Sequence, residues 1–177
     1  MTNLLNLPPF DREGNVHVVV ETPRGARAKL KYEPELQVFM LSKSLISGLT
    51  YPYDWGFVPS TSSDDSDPVD ALVIHDAATS PGLVLKCKAI GVLQVLEHRK
   101  KREQRNDRVI AVPVNSHAEQ DLDDVRQISK QLREELEKFF VATAELQSKT
   151  LDCLGWKGPK QALRLIKASA RKFETGK

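Results

Sequence analysis

Apolar residues in the N-terminal part of the chain, up to Val114, fall in short runs that predict β-strands. The runs are rich in Val, Leu and aromatic residues, and breaks such as Pro23-Arg24-Gly25 and Glu33-Pro34 separate them. The predicted strands are residues 16–21, 28–32, 38–41, 71–74, 83–97 and 108–114. The run at 83–97 is long enough to bend at Gly91 and to serve two faces of a barrel.

Beyond Val114 the apolar residues recur every three or four positions, which is typical of an amphipathic helix. The repeating positions are Val125, Ile128, Leu132, Leu136 and Phe139. We expect this helix to end near Gln147 and a second helix to begin at Gly158-Pro159, with proline in its first turn. The second helix carries on one side Ala162, Leu165, Ile166 and Ser169. Strands followed by helices indicate an α+β fold in which C-terminal helices cover the open side of a barrel.

Length and composition are those of an ordinary globular domain. The chain has 177 residues, of which 40% are hydrophobic and 28% charged, close to the averages for globular proteins. We find no repeat, low-complexity tract or linker, so we expect a single domain over residues 1–177. The net charge of +2 is too small to attract nucleic acid or membrane by the charge of the whole molecule.

The sequence also predicts a cytoplasmic protein. Its longest apolar stretch, residues 89–96, is too short to span a bilayer, and its first residues lack the features of a signal peptide. Cys87 and Cys153 show no spacing typical of a metal or redox motif, so we expect two reduced thiols. We place Cys87 in a strand and Cys153 just after a helix.

Acidic residues crowd residues 64–76, directly around a predicted strand. Asp65, Asp67 and Asp70 stand at i, i+2 and i+5; the first two share a face of an extended chain, and a turn at Pro68 can bring Asp70 back toward them. Carboxylates about 6 Å apart repel by roughly 3 kcal/mol per pair at an effective dielectric near 20. Such a cluster suits Mg²⁺, Mn²⁺ or Ca²⁺ rather than zinc. A solvated acidic loop is the alternative interpretation, and the triplet alone favours it.

Other charged residues favour the metal interpretation. Glu21, Lys29, Lys43 and Arg108 each stand at or beside a predicted strand, where they can converge with the acidic triplet at one barrel mouth. Enzymes of phosphoryl transfer combine carboxylates that bind metal ions with Lys and Arg side chains that bind oxyanions. The alternative interpretation of each lysine or arginine, considered by itself, is a solvated surface side chain.

Two neighbouring segments resemble the signature of the soluble inorganic pyrophosphatases. Thr50-Tyr51-Pro52-Tyr53-Asp54-Trp55-Gly56-Phe57-Val58-Pro59 precedes Asp65-Ser66-Asp67-Pro68-Val69-Asp70, which fits the D-x-D-P-x-D stretch of that family. Further similar segments extend the resemblance over almost the whole chain. The resemblance implies an OB-like five-stranded β-barrel with C-terminal helices, a homo-oligomer, and Mg²⁺-dependent hydrolysis of pyrophosphate to two phosphates.

The resemblance also implies roles for individual residues. The implied metal-binding residues are Asp65, Asp70, Glu21, Glu97 and Asp107. Asn106 is the alternative to Asp107, because an insertion makes the alignment uncertain there. The implied proton acceptor from the attacking water is Asp67. The implied substrate-binding residues are Lys29, Lys43, Tyr51 and Arg108.

Several positions depart from the family pattern. Lys31 stands where the family has Glu, and Thr143-Ala144 replaces a Tyr-Lys pair that holds phosphate. Milder exchanges put Lys43 at an Arg position, Trp55 at a Tyr position and Arg108 at a Lys position. These departures keep open an alternative: a diverged barrel with weak or altered activity that binds or cleaves another phosphorylated ligand. Cations that could replace the lost pair are Lys149, Lys157 and Lys160.

Other functional classes find less support in the sequence. The basic segment at residues 98–105 suggests a nuclear-localisation or nucleic-acid patch, but we interpret it as a solvated hairpin. An OB-like barrel also suggests nucleic-acid binding, but few aromatic residues are interleaved with basic ones. The four histidines show no ligand spacing, and no serine stands in a G-x-S-x-G elbow. We therefore expect neither nucleic acid nor membrane as a partner.

Overall fold

The computed structural model describes residues 3–100 and 102–176. Within these residues the chain forms nine β-strands, two α-helices and two short 3₁₀ helices. The strands are β1 (Val16–Thr22), β2 (Ala28–Glu33), β3 (Val38–Ser44), β4 (Asp54–Val58), β5 (Val69–Val73), β6 (Val84–Arg99), β7 (Arg102–Arg105), β8 (Arg108–Pro113) and β9 (Thr150–Lys157). The helices are α1 (Lys130–Glu145) and α2 (Pro159–Thr175), with 3₁₀ turns at Leu4–Asn6 and Val125–Gln127.

Five strands close into a barrel. β1 pairs with β4, β4 with β5, β5 with β8, and β8 with β6, which returns to pair with β1. The β5–β8 pair is parallel and the other pairs of the ring are antiparallel. This ring, with both α-helices C-terminal to it, confirms the predicted α+β fold and five-stranded barrel.

β6 is long enough to serve two parts of the sheet. Its first half pairs with β1 and β8, and its second half pairs with β9 and with β7. The register with β8 shifts between Ala89 and Gly91, where the sequence predicted a bend. A Cβ atom at Gly91 would lie 2.6 Å from the Lys157 carbonyl oxygen and 2.6 Å from Val125 Cβ. The crowding around the strand therefore requires glycine at this position.

The structure corrects three expectations about secondary structure. Residues 54–58 form the fully buried strand β4, where no strand was predicted. Cys153 lies within β9, not just after a helix. Helix α1 begins only at Lys130, because Asp124 caps a separate 3₁₀ turn and Ile128 is extended, with ψ of 136°.

The two helices cover different sides of the barrel. α1 buries Leu136, Phe139 and Phe140 in the larger core cluster, which also contains Trp55 and Leu72. α2 packs against β6 and buries Ala162, Ile166 and Ser169, as the predicted periodicity requires. Neither helix combines the length and the apolar character needed to cross a membrane, in the part of the chain that the structure describes.

β2 and β3 form a separate hairpin that is fastened to the barrel strand β1. The Thr22 hydroxyl accepts a hydrogen bond from Leu30 N at 2.9 Å and donates one to Leu30 O at 3.1 Å. The Tyr32 amide donates to Glu21 Oε1 at 2.7 Å. These bonds fix the lysines of the hairpin relative to Glu21.

Candidate active site

A cavity of about 700 Å³ brings the predicted site together. Its lining comes from β1, the β2–β3 hairpin, the loop between β4 and β5, β6, β8 and the end of α1. The predicted site residues that line it are Glu21, Lys29, Lys43, Tyr51, Asp65, Asp67, Asp70, Glu97 and Arg108. Residues as far apart along the chain as Glu21 and Arg108 thus share one pocket.

The acidic loop supplies two of the three aspartates and β5 supplies the third. The loop is fixed by its own hydrogen bonds: the Asp67 amide donates to Asp65 Oδ1 at 3.1 Å, and the Ser63 amide donates to the Asp67 carbonyl at 2.8 Å. Burial raises the pKa of Asp70, and partial burial raises the pKa of Asp65, where the charges of Asp67 and Asp70 add to the effect. For Asp70, burial outweighs the opposing charges of Arg108 and Lys29.

Glu21 is a further acid of the cavity whose pKa is raised. Its side chain is buried on β1, and its Oε1 accepts the hydrogen bond from the Tyr32 amide. Burial raises the pKa of Glu21 to about 7, and the charge of Asp70 acts in the same direction, against the effects of Lys29 and Lys31. A cation near Glu21 and Asp70 would relieve this cost.

Glu97, on β6, has the opposite environment. Its Oε1 accepts hydrogen bonds from Asn106 Nδ2 at 3.0 Å and Arg108 Nη2 at 3.1 Å, and its Oε2 accepts one from Lys149 Nζ at 2.9 Å. Burial opposes ionisation, but the bond and charge of Lys149 and the charge of Arg108 lower the pKa of Glu97 below its usual range. Three donors therefore hold Glu97 as a carboxylate.

The buried guanidinium of Arg108 stacks on two aromatic rings. Its central carbon lies 4.4 Å from the Phe140 ring centroid and 5.3 Å from that of Trp55. Tryptophan is the strongest π partner for a cation, and arginine stacks on rings where a lysine ammonium acts as a point charge. The two departures from the family pattern, at positions 55 and 108, are therefore physically matched.

Between β7 and β8 the structure distinguishes Asn106 from Asp107 as the residue that lines the cavity. Asn106 is buried and lines the cavity, whereas Asp107 is not among the lining residues. The Asp107 carboxylate accepts hydrogen bonds from the Val95 amide at 3.0 Å and from Arg105 Nη2 at 2.8 Å. An amide thus faces the cavity where the resemblance implied a carboxylate, and Asp107 fixes the local strand geometry.

All the departures noted in the sequence line this cavity, including Lys31, Thr143 and Ala144. Lys31 lines it, and its Nζ donates to Asp67 Oδ2 at 3.2 Å. Thr143 and Ala144 also line it, as small buried residues in the last turn of α1. Lys149 is the only one of the three candidate replacement lysines that lines the cavity. The sequence could not show which of the three lysines lines the cavity, because the partner of Lys149, Glu97, lies 52 residues away along the chain.

The chemistry of the donors fits a divalent cation. The acids with raised pKa values, Glu21, Asp65 and Asp70, offer only hard oxygen ligands, which Mg²⁺, Mn²⁺ and Ca²⁺ prefer. Among residues 3–100 and 102–176 no three His, Cys, Asp or Glu side chains already converge as a ligand cage. Mg²⁺ commonly completes such a set with waters and substrate phosphates around one or two carboxylates.

Comparisons with known proteins identify the family of this chain. The sequence model of the family described as inorganic pyrophosphatase matches residues 18–174. The inorganic pyrophosphatase of Thermus thermophilus is 31% identical over 178 residues, covering 98% of this chain and 99% of that protein. That of Synechocystis sp. is 28% identical over 172 residues, covering 97% of this chain and 99% of that protein.

Solved structures give the same result. The crystal structure of inorganic pyrophosphatase from Thermus thermophilus matches with a TM-score of 0.89 and 29% identity, covering 98% of this chain and 99% of that chain. The structure of an inorganic pyrophosphatase from Coxiella burnetii matches with a TM-score of 0.85 and 26% identity, covering 94% and 99%. The family model over residues 18–174 and a relative 31% identical over nearly the whole chain show that this chain belongs to the inorganic pyrophosphatase family.

Proposed function

We propose that this protein hydrolyses inorganic pyrophosphate to two phosphates and uses Mg²⁺ to do so. The observation that carries the proposal is the shared cavity: the acidic triplet lines the same pocket as Lys29, Lys43 and Arg108. Acids whose pKa values are raised by burial are suited to bind a divalent cation, and the fixed cations beside them are suited to bind a phosphate anion. Family membership implies a divalent metal, and hard oxygen donors favour Mg²⁺.

Asp65, Asp70 and Glu21 are the metal-binding residues of this proposal. Glu97 joins them only as a secondary ligand, since three donors already hold its carboxylate. At the hairpin the proposal takes Asn106 in place of Asp107, because only Asn106 lines the cavity. When bound, the cation would neutralise pyrophosphate charge and make water more acidic.

Asp67 is the proposed acceptor of the proton from the attacking water. The Asp67 side chain is 59% exposed, so water reaches it, and Lys31 occupies only its Oδ2. Oδ1 is thus the oxygen on which the proton would arrive. The attack itself would proceed in line with the phosphorus–oxygen bond that breaks, and the second phosphate would leave.

The substrate-binding residues divide into charged and neutral donors. Lys29, Lys43 and Arg108 supply positive charge to the phosphate oxygens. Burial raises the pKa of Tyr51 above its ordinary value, so its phenol stays protonated at neutral pH and can donate a hydrogen bond. This set would hold both phosphates before and during attack.

We further propose that the chain acts in the cytosol as a homo-oligomer of one domain spanning residues 1–177, with neither nucleic acid nor membrane as a partner. Cys87 and Cys153 are both free thiols, which suits a reducing compartment. The homo-oligomer rests on the resemblance to the family. Light scattering coupled to gel filtration tests it, and a purely monomeric mass would contradict it.

The activity is tested by phosphate release from pyrophosphate with Mg²⁺, with Mn²⁺, with Ca²⁺ and after chelation. Nucleoside di- and triphosphates are the matched substrates. We expect the fastest release from pyrophosphate with Mg²⁺ and loss of activity after chelation. Cation-independent hydrolysis, or faster cleavage of a nucleotide, would instead favour the diverged barrel that acts on another phosphorylated ligand.

A further inference from the structure

Lys149 reaches the active-site cavity from outside the barrel. It lies in the turn between α1 and β9, and its Nζ donates to Glu97 Oε2 at 2.9 Å. The Lys149 side chain is 21% exposed, and the Glu97 side chain is 11% exposed. The ammonium therefore stands at the cavity wall, shielded from most of the solvent and yet open to a bound anion.

The end of α1 directs Lys149 inward. Ser148 adopts the left-handed conformation with φ of 56°, and the Lys149 amide donates to the Ala144 carbonyl at 3.1 Å. This pattern of a left-handed residue followed by a bond back across the last helical turn reverses the chain direction. The small side chains of Thr143 and Ala144 line the cavity beside this turn and leave room for the lysine.

Glu97 is bonded to two cations that line the cavity, and one of them, Arg108, also interacts with Asp70. The other cation is Lys149, and Asn106 is a third donor. Arg108 Nε is buried and has no hydrogen-bond partner within the described residues. A buried donor without an acceptor is costly, so this group of residues is suited to receive an anion. Glu97 then serves to hold the two cations in place.

We propose that Lys149 is a substrate-binding residue that donates to a pyrophosphate oxygen beside Arg108, exchanging its contact with Glu97 for the more highly charged phosphate. The inference rests on the proposed function, because it identifies a further cation for that same substrate. Lys157 and Lys160 do not line the cavity. Lys149 thus supplies from the turn the ammonium that the helix itself, with Thr143 and Ala144, does not carry.

The first test separates binding from turnover. Lys149→Met keeps the length of the side chain and removes its charge, and we expect the KM for pyrophosphate to rise about ten- to a hundredfold, as for a lost hydrogen bond to a charged group. The loss of kcat should be smaller, because the contact exists before and during attack. Lys149→Arg should restore most of the affinity, and Lys157→Met, outside the cavity, should change nothing. Lys149→Gln is the second variant if Met lowers the melting temperature.

The second test asks whether Lys149 merely neutralises Glu97. Calorimetry with methylenediphosphonate, a non-hydrolysable analogue, in the presence of Mg²⁺ compares the wild type, Glu97→Gln, Lys149→Met and the double variant. We expect Lys149→Met to weaken analogue binding by a similar factor in both backgrounds. If the weakening disappears in the Glu97→Gln background, Lys149 acts only as a counter-ion and the inference is wrong.

Failure of the proposed function gives a different result. A wild type that releases no phosphate from pyrophosphate would refute the function. Equal KM and equal analogue affinity in the wild type and Lys149→Met, in an active enzyme, would overturn the role of Lys149 alone.

Discussion

The ammonium of Lys31 lies 3.2 Å from Oδ2 of Asp67, so a cation of the chain itself stands against the proposed proton acceptor. The two side chains are 53% and 59% exposed, and a pair so open to solvent adds at most about 1 kcal/mol to stability. The pair matters for the charge that Lys31 brings into the site. A fixed ammonium beside the acidic triplet competes with divalent cations for the same carboxylates.

We predict that Lys31→Glu increases the number of tightly bound Mn²⁺ ions, because it replaces a repelling ammonium with a further carboxylate ligand. Calorimetric titration with Mn²⁺ measures the stoichiometry. Lys86→Glu is the matched control: it makes the same change in charge at Lys86, whose Nζ lies 3.7 Å from Asp11, and it should bind as the wild type does. Equal stoichiometry in Lys31→Glu and the wild type would show that Lys31 displaces no metal.

The acidic loop offers a matched pair for testing the proton acceptor. Asp67→Asn removes the acceptor at nearly constant volume, and we expect kcat to fall about a hundredfold or more, the usual contribution of general base catalysis. Asp64→Asn lies in the same loop outside the cavity lining, where the carboxylate contacts Lys172, and should leave kcat nearly unchanged. Turnover of Asp67→Asn within about threefold of the wild type would exclude the assignment.

Local patterns predicted six strands and the acidic triplet, because both depend on short-range sequence. Within its described residues the structure also contains three strands that were not predicted, β4, β7 and β9. β4 was missed for a reason that local sequence cannot reveal. A Cβ atom at Gly56 would lie 1.9 Å from the Val19 carbonyl oxygen, so glycine at this position permits the close approach of β1. Its neighbours are buried only because the barrel closes around them.

The cavity shows the same limit for side-chain direction. Asn106 and Asp107 are adjacent, and spacing alone could not decide which of them faces the cavity. The Asp107 carboxylate is turned to the Val95 amide and to Arg105, partners known only once β6, β7 and β8 are paired. Contacts between distant elements, such as that of Lys149 with Glu97, are set by the three-dimensional fold in the same way.

The raised pKa of Glu21 predicts how stability depends on pH without metal. Its pKa is about 7 in the folded protein and 4.5 in the unfolded chain, so between these values the folded state binds more protons. Stability must therefore fall as pH rises from about 4.5 to 7, by an amount on the order of 3 kcal/mol for this group. The charged groups that face Glu21 are Asp70, Lys29 and Lys31; Asp70, also with a raised pKa, acts in the same direction.

Thermal unfolding in chelator at pH 5 and pH 8 measures this effect. Glu21→Gln should make the melting temperature less dependent on pH over that interval, because the amide does not titrate. Added Mg²⁺ should reduce the difference in the wild type, since a bound cation favours the ionised carboxylate. A pH dependence unchanged by Glu21→Gln would locate the effect in other groups.

The stacking of Arg108 on Trp55 predicts that these two positions are energetically coupled. Arg108→Lys loses the planar contact with the rings and leaves Glu97 with a weaker donor geometry, while Trp55→Tyr loses the better π partner. We expect the double variant to be less destabilised than the sum of the single variants, by about 0.5 to 1 kcal/mol in a denaturant-unfolding cycle, because the same contact is lost only once. The KM for pyrophosphate should follow the same pattern, since a displaced Arg108 presents its charge poorly to phosphate. Ile166→Val, a change in the separate core cluster beneath α2, is the comparison that should add independently to Trp55→Tyr. Strict additivity of Trp55→Tyr and Arg108→Lys would mean that the two exchanges arose without physical dependence on each other.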